Sequence, residues 1–379
     1  MQPGVTVTAL LTVGESMPRT GSPGQWYRMV GIPDGLGAFA EGQDRVELFM
    51  NHELSKWTPS SPVAGEPARY GAFVSLYELR PSDQRIVSGG PAYDELRRGM
   101  SPTPIAGALS GLCSSFLAGR ESGFDRSIYL TGEEATGLHT LDGLGGSGLA
   151  IIDHVAYILP GLGHFSKENL IVAPGTGDRT VIFGFEDKQG GMESQLYMYV
   201  GMKDGEADHP LARNGLIGGK LYVPPLDTGP RDEAAFKKAD GVLTAQWVEI
   251  ADAETLTDRQ LDEASHRARA FNFCRLEDGA PDRQRRGTIY FVTTGDADPN
   301  QRGRVYQLGF DPNDPVAGSV SLRVLLEGDA GDPIVSPDNL DTDASGAILI
   351  QEDITGRWRG HLPNAATPRF GCIAPRVSG

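Results

Sequence analysis

Two stretches of the chain read alike, HFSKENLIVAPGTGDRTVIFGFED (164–187) and VSPDNLDTDASGAILIQED (335–353). Each opens on an acid followed by Asn and Leu, turns at a glycine, and returns through an apolar strand ending in Glu-Asp. CSSFLAGRESGFDRSIYLTGEE (113–134) is a looser copy. Short runs rich in Val, Ile, Tyr and Phe, bounded by Gly, Pro, Asp or Asn, predict antiparallel hairpins. In such a hairpin the start of the first strand lies beside the end of the second. Cys113, Glu168 and Asp338 are thus expected near Glu133/Glu134, Glu186/Asp187 and Glu352/Asp353, all at one end of their hairpins.

Similar runs fill the rest of the chain: VTVTALLTVG (5–14), VELFMNHE (46–53), AFVSLYELR (72–80), GLAIIDHVAYIL (148–159), VLTAQWVEI (242–250), TIYFVTTGD (288–296) and VSLRVLLEG (320–328). Helical pattern is confined to 252–270, with a single turn at 102–109. Strands and helices do not alternate, which argues against a doubly wound sheet or (β/α)8 barrel. Acidic strand ends fall at Glu134, Asp187, Asp296 and Asp353, the middle gap being about twice the other two. A four-stranded unit of roughly 50 residues fits these gaps, and radial repetition of such units makes a β-propeller. The expected fold is therefore all-β: one domain over 1–379, a six-bladed propeller with an irregular loop-and-helix insertion at 203–287. A β-sandwich is the plainer alternative, but leaves the recurrence of acids at one end unexplained.

The acids also dominate the charge balance. With 50 Asp and Glu against 34 Lys and Arg, the net charge is −16. Such a chain repels nucleic acid phosphates and anionic lipid. Three cysteines make no disulfide scaffold, and no run approaches the 18 apolar residues of a membrane span. The opening MQPGVTVTALLTVGE lacks a basic n-region and a cleavage site. The expected partner is a small molecule, with neither nucleic acid nor membrane.

Carboxylates gathered without lysines repel one another. Hard cations relieve this most simply, since Ca²⁺ takes six to eight oxygen ligands. Glu53, Glu134, Glu168, Glu186, Asp338 and Glu352 are the candidate oxygen ligands. Asn51, Asn169 and Asn339 bring carbonyl oxygens nearby. Cys113, in register with Glu168 and Asp338, is a candidate thiolate ligand, which favours iron or zinc over calcium at that point. DTDASGAILIQE (341–352) imitates a helix–loop–helix calcium loop, but its second half reads as a strand, so Asp341 and Asp343 are expected to shape a turn. Cys274 and Cys372 lack a comparable setting. No HExxH or GxSxG motif is present, and GLGGSG (143–148) reads as a turn. Lys167, Lys188, Arg120, Arg275 and Arg357 are the basic candidates for an anionic substrate.

The same residues carry a family resemblance. NHE (51–53), the Cys113 region with YLTGEE (129–134), 164–187, RLEDG (275–279), IYFVTTGD (289–296) and 336–353 resemble, in order and spacing, the PhoX family of bacterial alkaline phosphatases. The resemblance implies a β-propeller hydrolysing phosphate monoesters at a central cluster of iron (Fe³⁺) and Ca²⁺, and export to the periplasm or beyond. It implies Cys113 as iron ligand and Glu168, Glu186, Asp338 and Glu352 as carboxylate ligands, with Glu133 or Glu134 ambiguous by one residue. Catalytic roles are expected for Glu133, Lys167 and Arg357, the two cations holding the leaving phosphate. A calcium-dependent hydrolase of lactones or phosphotriesters and a non-catalytic calcium-stabilised binding propeller are the alternatives.

Overall fold

The structure is a computed structural model, which describes residues 8–188, 190–191, 193–225, 229–296, 302–352 and the backbone of 370–373. Asp298, Asp353 and Arg357 lie outside the described residues, as do residues 1–7 of the first expected strand. Residues 8–14 of that run form no strand.

Five hairpins organise the molecule. They are Pro33–Ala40 with Val46–His52, Leu112–Ala118 with Ile128–Glu133, Lys167–Ala173 with Arg179–Glu186, Leu276–Pro281 with Thr288–Thr293, and Pro337–Thr342 with Ile348–Glu352. Each belongs to a separate sheet, of four, five, five, five and three strands respectively. Two further ribbons pair Ser16–Pro18 with Trp26–Arg28 and Pro59–Ser60 with Arg69–Tyr70.

The expected six-bladed propeller is not what these strands form. They make several separate, mostly antiparallel sheets, none closed into a barrel or curled into a propeller blade. The spacing of acidic ends carries no trace of the strands that complete each sheet. Glu95–Arg98 joins the second sheet in parallel, ahead of that sheet's own hairpin in sequence. Nor is 203–287 an irregular insertion. Lys220–Val223 and Val248–Ile250 finish the third sheet, and Val242–Ala245 is the edge of the fourth. Lys220–Val223 is too short to show a period of two, and the run 242–250 is two strands that belong to different sheets. The expected helix shrinks to Asp258–Arg267, opened by a capping box between Thr257 and Gln260. Residues 148–159 are two strands, because Asp153 and His154 both take positive φ and reverse the chain.

The first strands of successive hairpins lie against one another. Leu112–Ala118 packs beside Pro33–Ala40 and Lys167–Ala173, Leu276–Pro281 beside Lys167–Ala173, and Pro337–Thr342 beside Leu276–Pro281. Alternation explains their composition. In Lys167–Ala173, Leu170 and Val172 enter the apolar core shared with the second sheet, while Ile171 and Ala173 enter the core shared with the fourth. A strand buried on both faces reads as continuous apolar sequence, here LIVA against VIFGF. The stacks of first strands thus bring the starts of all five hairpins to one place.

Candidate metal centre

At that place every hairpin carries the same irregularity. The pairing slips between Pro33 and Leu36, Leu112 and Ser115, Lys167 and Asn169, Leu276 and Gly279, and Pro337 and Asn339. The residues left in the slip are Asp34, Cys113, Glu168, Glu277 with Asp278, and Asp338. A β-bulge bends its strand and re-aims the side chain it releases. Here it presents an acid or a thiol from each first strand.

The second strands contribute the residue just past the last pair. Its amide is fixed by a carbonyl two residues before the bulge ligand: Glu53 N donates to Ile32 O (2.9 Å), Glu134 N to Gly111 O (2.6 Å), Asp187 N to Ser166 O (3.1 Å) and Thr294 N to Arg275 O (3.1 Å). Three of those carbonyl residues have left-handed backbone, Ile32 (φ 46°), Gly111 (φ 56°) and Arg275 (φ 58°). Ser336 (φ 46°) stands at the same place in the fifth hairpin. The left-handed residue swings the chain into the bulge.

Among the described residues the result is three donor groups, each with ligand atoms within 4.8 Å of one another: Asp34, Glu53 and Cys113; Cys113, Glu134 and Glu168; Glu168, Glu277 and Asp338. Cys113 belongs to the first two and Glu168 to the last two. Sharing makes the three groups one continuous centre. Ser114 Oγ donates to Glu168 Oε1 at 2.8 Å. Asn51 Nδ2 donates to the carbonyl of Cys113 at 2.6 Å and to Thr131 Oγ1 at 2.9 Å, while Asn51 Oδ1 accepts from Tyr129 Oη at 2.9 Å. Asn169 donates to Asp278, which also accepts from the amides of Gly279 (2.6 Å) and Leu340 (3.0 Å) and so ties three sheets together.

Without cations the arrangement is electrostatically costly. Burial, and then Asp34 and Asp338, push the Glu53 carboxyl up to about 7. Burial followed by neighbouring carboxylates holds Glu134, Glu168 and Glu277 well above the carboxylate range, and raises the Cys113 thiol likewise. The guanidinium of Arg275 is in contact, pairing with Asp187 and reaching Glu277 Oε1 at 3.2 Å. One guanidinium cannot balance so many acids. Multivalent cations can, and the donor set of six carboxylates and one thiol suits them.

Of the residues singled out in sequence, the structure brings together Glu53, Cys113, Glu134, Glu168 and Asp338. It places Glu133, Glu186, Glu352 and Lys167 elsewhere. Adjacent residues of a strand face opposite ways, and Glu133, Glu186 and Glu352, each the first acid of a pair ending a second strand, turn to bind backbone. Glu133 accepts from the amides of Ser110, Leu141 and Ser147. Glu186 accepts from Gln195 N at 3.0 Å and lies 3.8 Å from Lys188 Nζ, and Glu352 accepts from Val335 N at 2.8 Å. Burial drives Lys167 well below the ordinary lysine range, and its ammonium donates to the carbonyls of Gly146 and Gly163, 2.7 Å each. Lys188 is paired with Asp262 at 2.8 Å. Asp343 caps its own turn through Ser345 and Ala347.

Sequence reasoning missed Asp34 and Glu277 as members of the centre, while Asp187, expected among the acids there, pairs with Arg275. Glu277 had a signal, since Glu277-Asp278 opens a strand of the fourth hairpin as Glu168 and Asp338 open theirs. Asp34 had none beyond IPDG, a turn-like string.

The sequence model of the family described as alkaline phosphatase PhoX matches residues 154–371, more than half of the chain. The chain belongs to the PhoX family. The fold is shared with a solved structure of Pseudomonas fluorescens PhoX in complex with vanadate, a transition state analogue, at a TM-score of 0.67 and 18% identity, covering 98% of this chain and 84% of that one. A glucose dehydrogenase structure aligns at a TM-score of 0.39 and 12% identity, covering 90% of this chain and 91% of that one. No curated protein sequence matches. As a PhoX member with acidic and cysteine clusters able to hold metal ions, the protein is a metal-dependent hydrolase.

Proposed function

We propose that this PhoX protein hydrolyses phosphate monoesters, with calcium in the all-carboxylate group of Glu168, Glu277 and Asp338 and iron at Cys113. The observation that carries the reading is the sharing of Cys113 and Glu168 among three donor groups. Residues shared in this way would hold several cations close to one another. All-oxygen donors favour hard Ca²⁺, and a thiolate favours a transition metal. The cations, when bound, offset phosphoryl charge and supply Lewis acidity.

The chain's own groups do the rest. Arg275 offers planar donors to a phosphoryl oxygen, and Asp187 and Glu277 hold its guanidinium in place. Ser114 orients Glu168, and Asn51 fixes the Cys113 backbone. Burial of the centre strengthens each of these interactions. In the reaction a water oxygen bonds to phosphorus, the bond from phosphorus to the ester oxygen breaks, and the alcohol departs with a proton from that water.

Elemental analysis of the purified protein for Fe, Ca and Zn, together with benzyl phosphate hydrolysis before and after chelation, tests the reading. Bound Ca and Fe, with Fe lost in Cys113→Ser, are expected. Metal-free protein, or monoester hydrolysis indifferent to chelators, would exclude it. Calcium alone, unaffected by Cys113→Ser, would remove iron from the assignment.

A further inference from the structure

Resting on the monoesterase reading, we propose that Ile32 and Trp57 receive the organic part of the substrate, so that the centre prefers phosphate esters of apolar alcohols over those of polyols. Ile32 is the starting point. It is β-branched yet held at φ 46°, a conformation such residues rarely adopt. Gly111 occupies the equivalent position in the second hairpin, so the backbone there is satisfied by glycine. Nor does burial repay the side chain, because Ile32 is 52% exposed. Neither local conformation nor core packing accounts for isoleucine at this point.

Its place in the hairpin does. Ile32 stands two residues before Asp34, as Arg275 stands two residues before Glu277, with the same left-handed backbone and the same carbonyl contact to the second strand. The Arg275 side chain reaches the acids of the centre. By the same geometry Ile32 flanks the Glu53 side. Trp57, 66% exposed, follows Glu53 by four residues. Its loop is tied to the segments that carry two ligands of the centre: Gly111 N donates to Leu54 O at 2.9 Å, and Lys56 Nζ donates to the carbonyls of Leu138 (2.8 Å) and Thr140 (2.6 Å), on the loop that follows Glu134. Leu138 on that loop is 81% exposed. Single exposed apolar residues are common on surfaces, but these three sit on segments fixed to two ligands of one centre. A phosphoryl group belongs with the cations and Arg275. The alcohol portion would then meet Ile32 and Trp57, the indole carrying the Lys56 ammonium 4.9 Å from its ring centre.

The test compares kcat/KM for benzyl phosphate and glycerol phosphate, two alkyl esters, in metal-loaded wild type, Ile32→Asn, Trp57→Ala and the double variant. Asparagine tolerates left-handed backbone, so Ile32→Asn keeps the turn, and an unlowered Tm verifies this. The benzyl-to-glycerol ratio is expected to fall about fivefold in the double variant through KM, less than the tenfold or more of a fully enclosed methylene contact. An unchanged ratio, or equal losses on both esters, overturns the proposal while leaving the monoesterase reading intact. Wild type inert toward both esters with its metals bound would overturn that reading and this proposal together.

Discussion

Arg275 grips both carboxylate oxygens of Asp187, through Nε at 3.0 Å and a terminal nitrogen at 2.8 Å. Asp187 just follows a strand of the third sheet and Arg275 just precedes one of the fourth, and Glu277 lies beside the same guanidinium. Asp187, Glu277 and Glu134 raise the Arg275 pKa against the lowering effect of its burial. A bidentate pair fixes the plane of the guanidinium as well as its charge, so the remaining donor edge has a set direction.

Lysine in place of Arg275 keeps the charge and loses that plane. Arg275→Lys is expected to lower kcat/KM for benzyl phosphate by about 100-fold, the scale of one oriented donor to a transition-state oxygen. Metal content measured on the same sample should stay at the wild-type level. Loss of metal in parallel with activity would mean that Arg275 supports the centre without touching substrate.

Glu168 is shared by two donor groups, whereas Asp338 serves one. Glu168→Gln should therefore reduce bound metal more than Asp338→Asn. Stability should move in opposite senses with and without cations. Glu168 is buried among Glu134, Asp338, Asp34 and Asp187, and neutralising it removes repulsion that only cations otherwise relieve. The Tm of Glu168→Gln should exceed wild type in chelator and fall below it in calcium. A variant less stable under both conditions would assign Glu168 a packing role alone.

These residues show where sequence reading reached and where it stopped. Runs such as LIVA and VIFGF marked strands because burial on both faces leaves no room for polar residues. Acids at the hairpin ends stood out for the opposite reason, as charges next to a core. Which acid of Glu133/Glu134 or Glu186/Asp187 faces inward was not legible. A period of two makes neighbours opposites, and the phase is set by the bulge at Leu112/Ser115 or Lys167/Asn169. Bulges leave little trace in composition. Edge strands such as Lys220–Val223 were hidden for want of length, and their absence from the count misled the choice of architecture.

Lys167 illustrates a charge that sequence alone assigns to substrate and packing assigns to structure. Its ammonium sits 3.6 Å from the centre of the Phe165 ring and donates to two loop carbonyls. Those loops, at Gly146 and Gly163, hold the second sheet against the third. Lys167→Met should destabilise the protein by about 1–3 kcal/mol, the penalty of buried acceptors left unpaired. At a temperature where the variant is folded, kcat should change little. A large fall in kcat with unchanged Tm would restore the catalytic assignment.

His164 gives the molecule an acid-side weakness remote from the donor groups. Nδ1 lies 2.8 Å from the carbonyl of Leu256, just ahead of the helix Asp258–Arg267, and Nε2 is 3.8 Å from Asp142. Burial, and then Lys167 and Arg98, lower its pKa, with the Leu256 carbonyl and Asp142 opposing them. The folded protein thus binds a proton at His164 less readily than the unfolded chain, whose histidine titrates near about 6.5. Where the unfolded state binds more protons, stability rises with pH. The His164 contribution is therefore an added loss of stability as pH falls through about 6.5 and below. Denaturant midpoints of metal-loaded wild type and His164→Asn at pH 7.5, 6.5 and 5.5 isolate it, because every other titrating group is common to both. The wild-type midpoint should drop more steeply on acidification than that of the variant. Parallel lines would mean that the imidazole accepts its proton in the folded state as easily as in the unfolded one, with Asp142 and the Leu256 carbonyl fully offsetting burial.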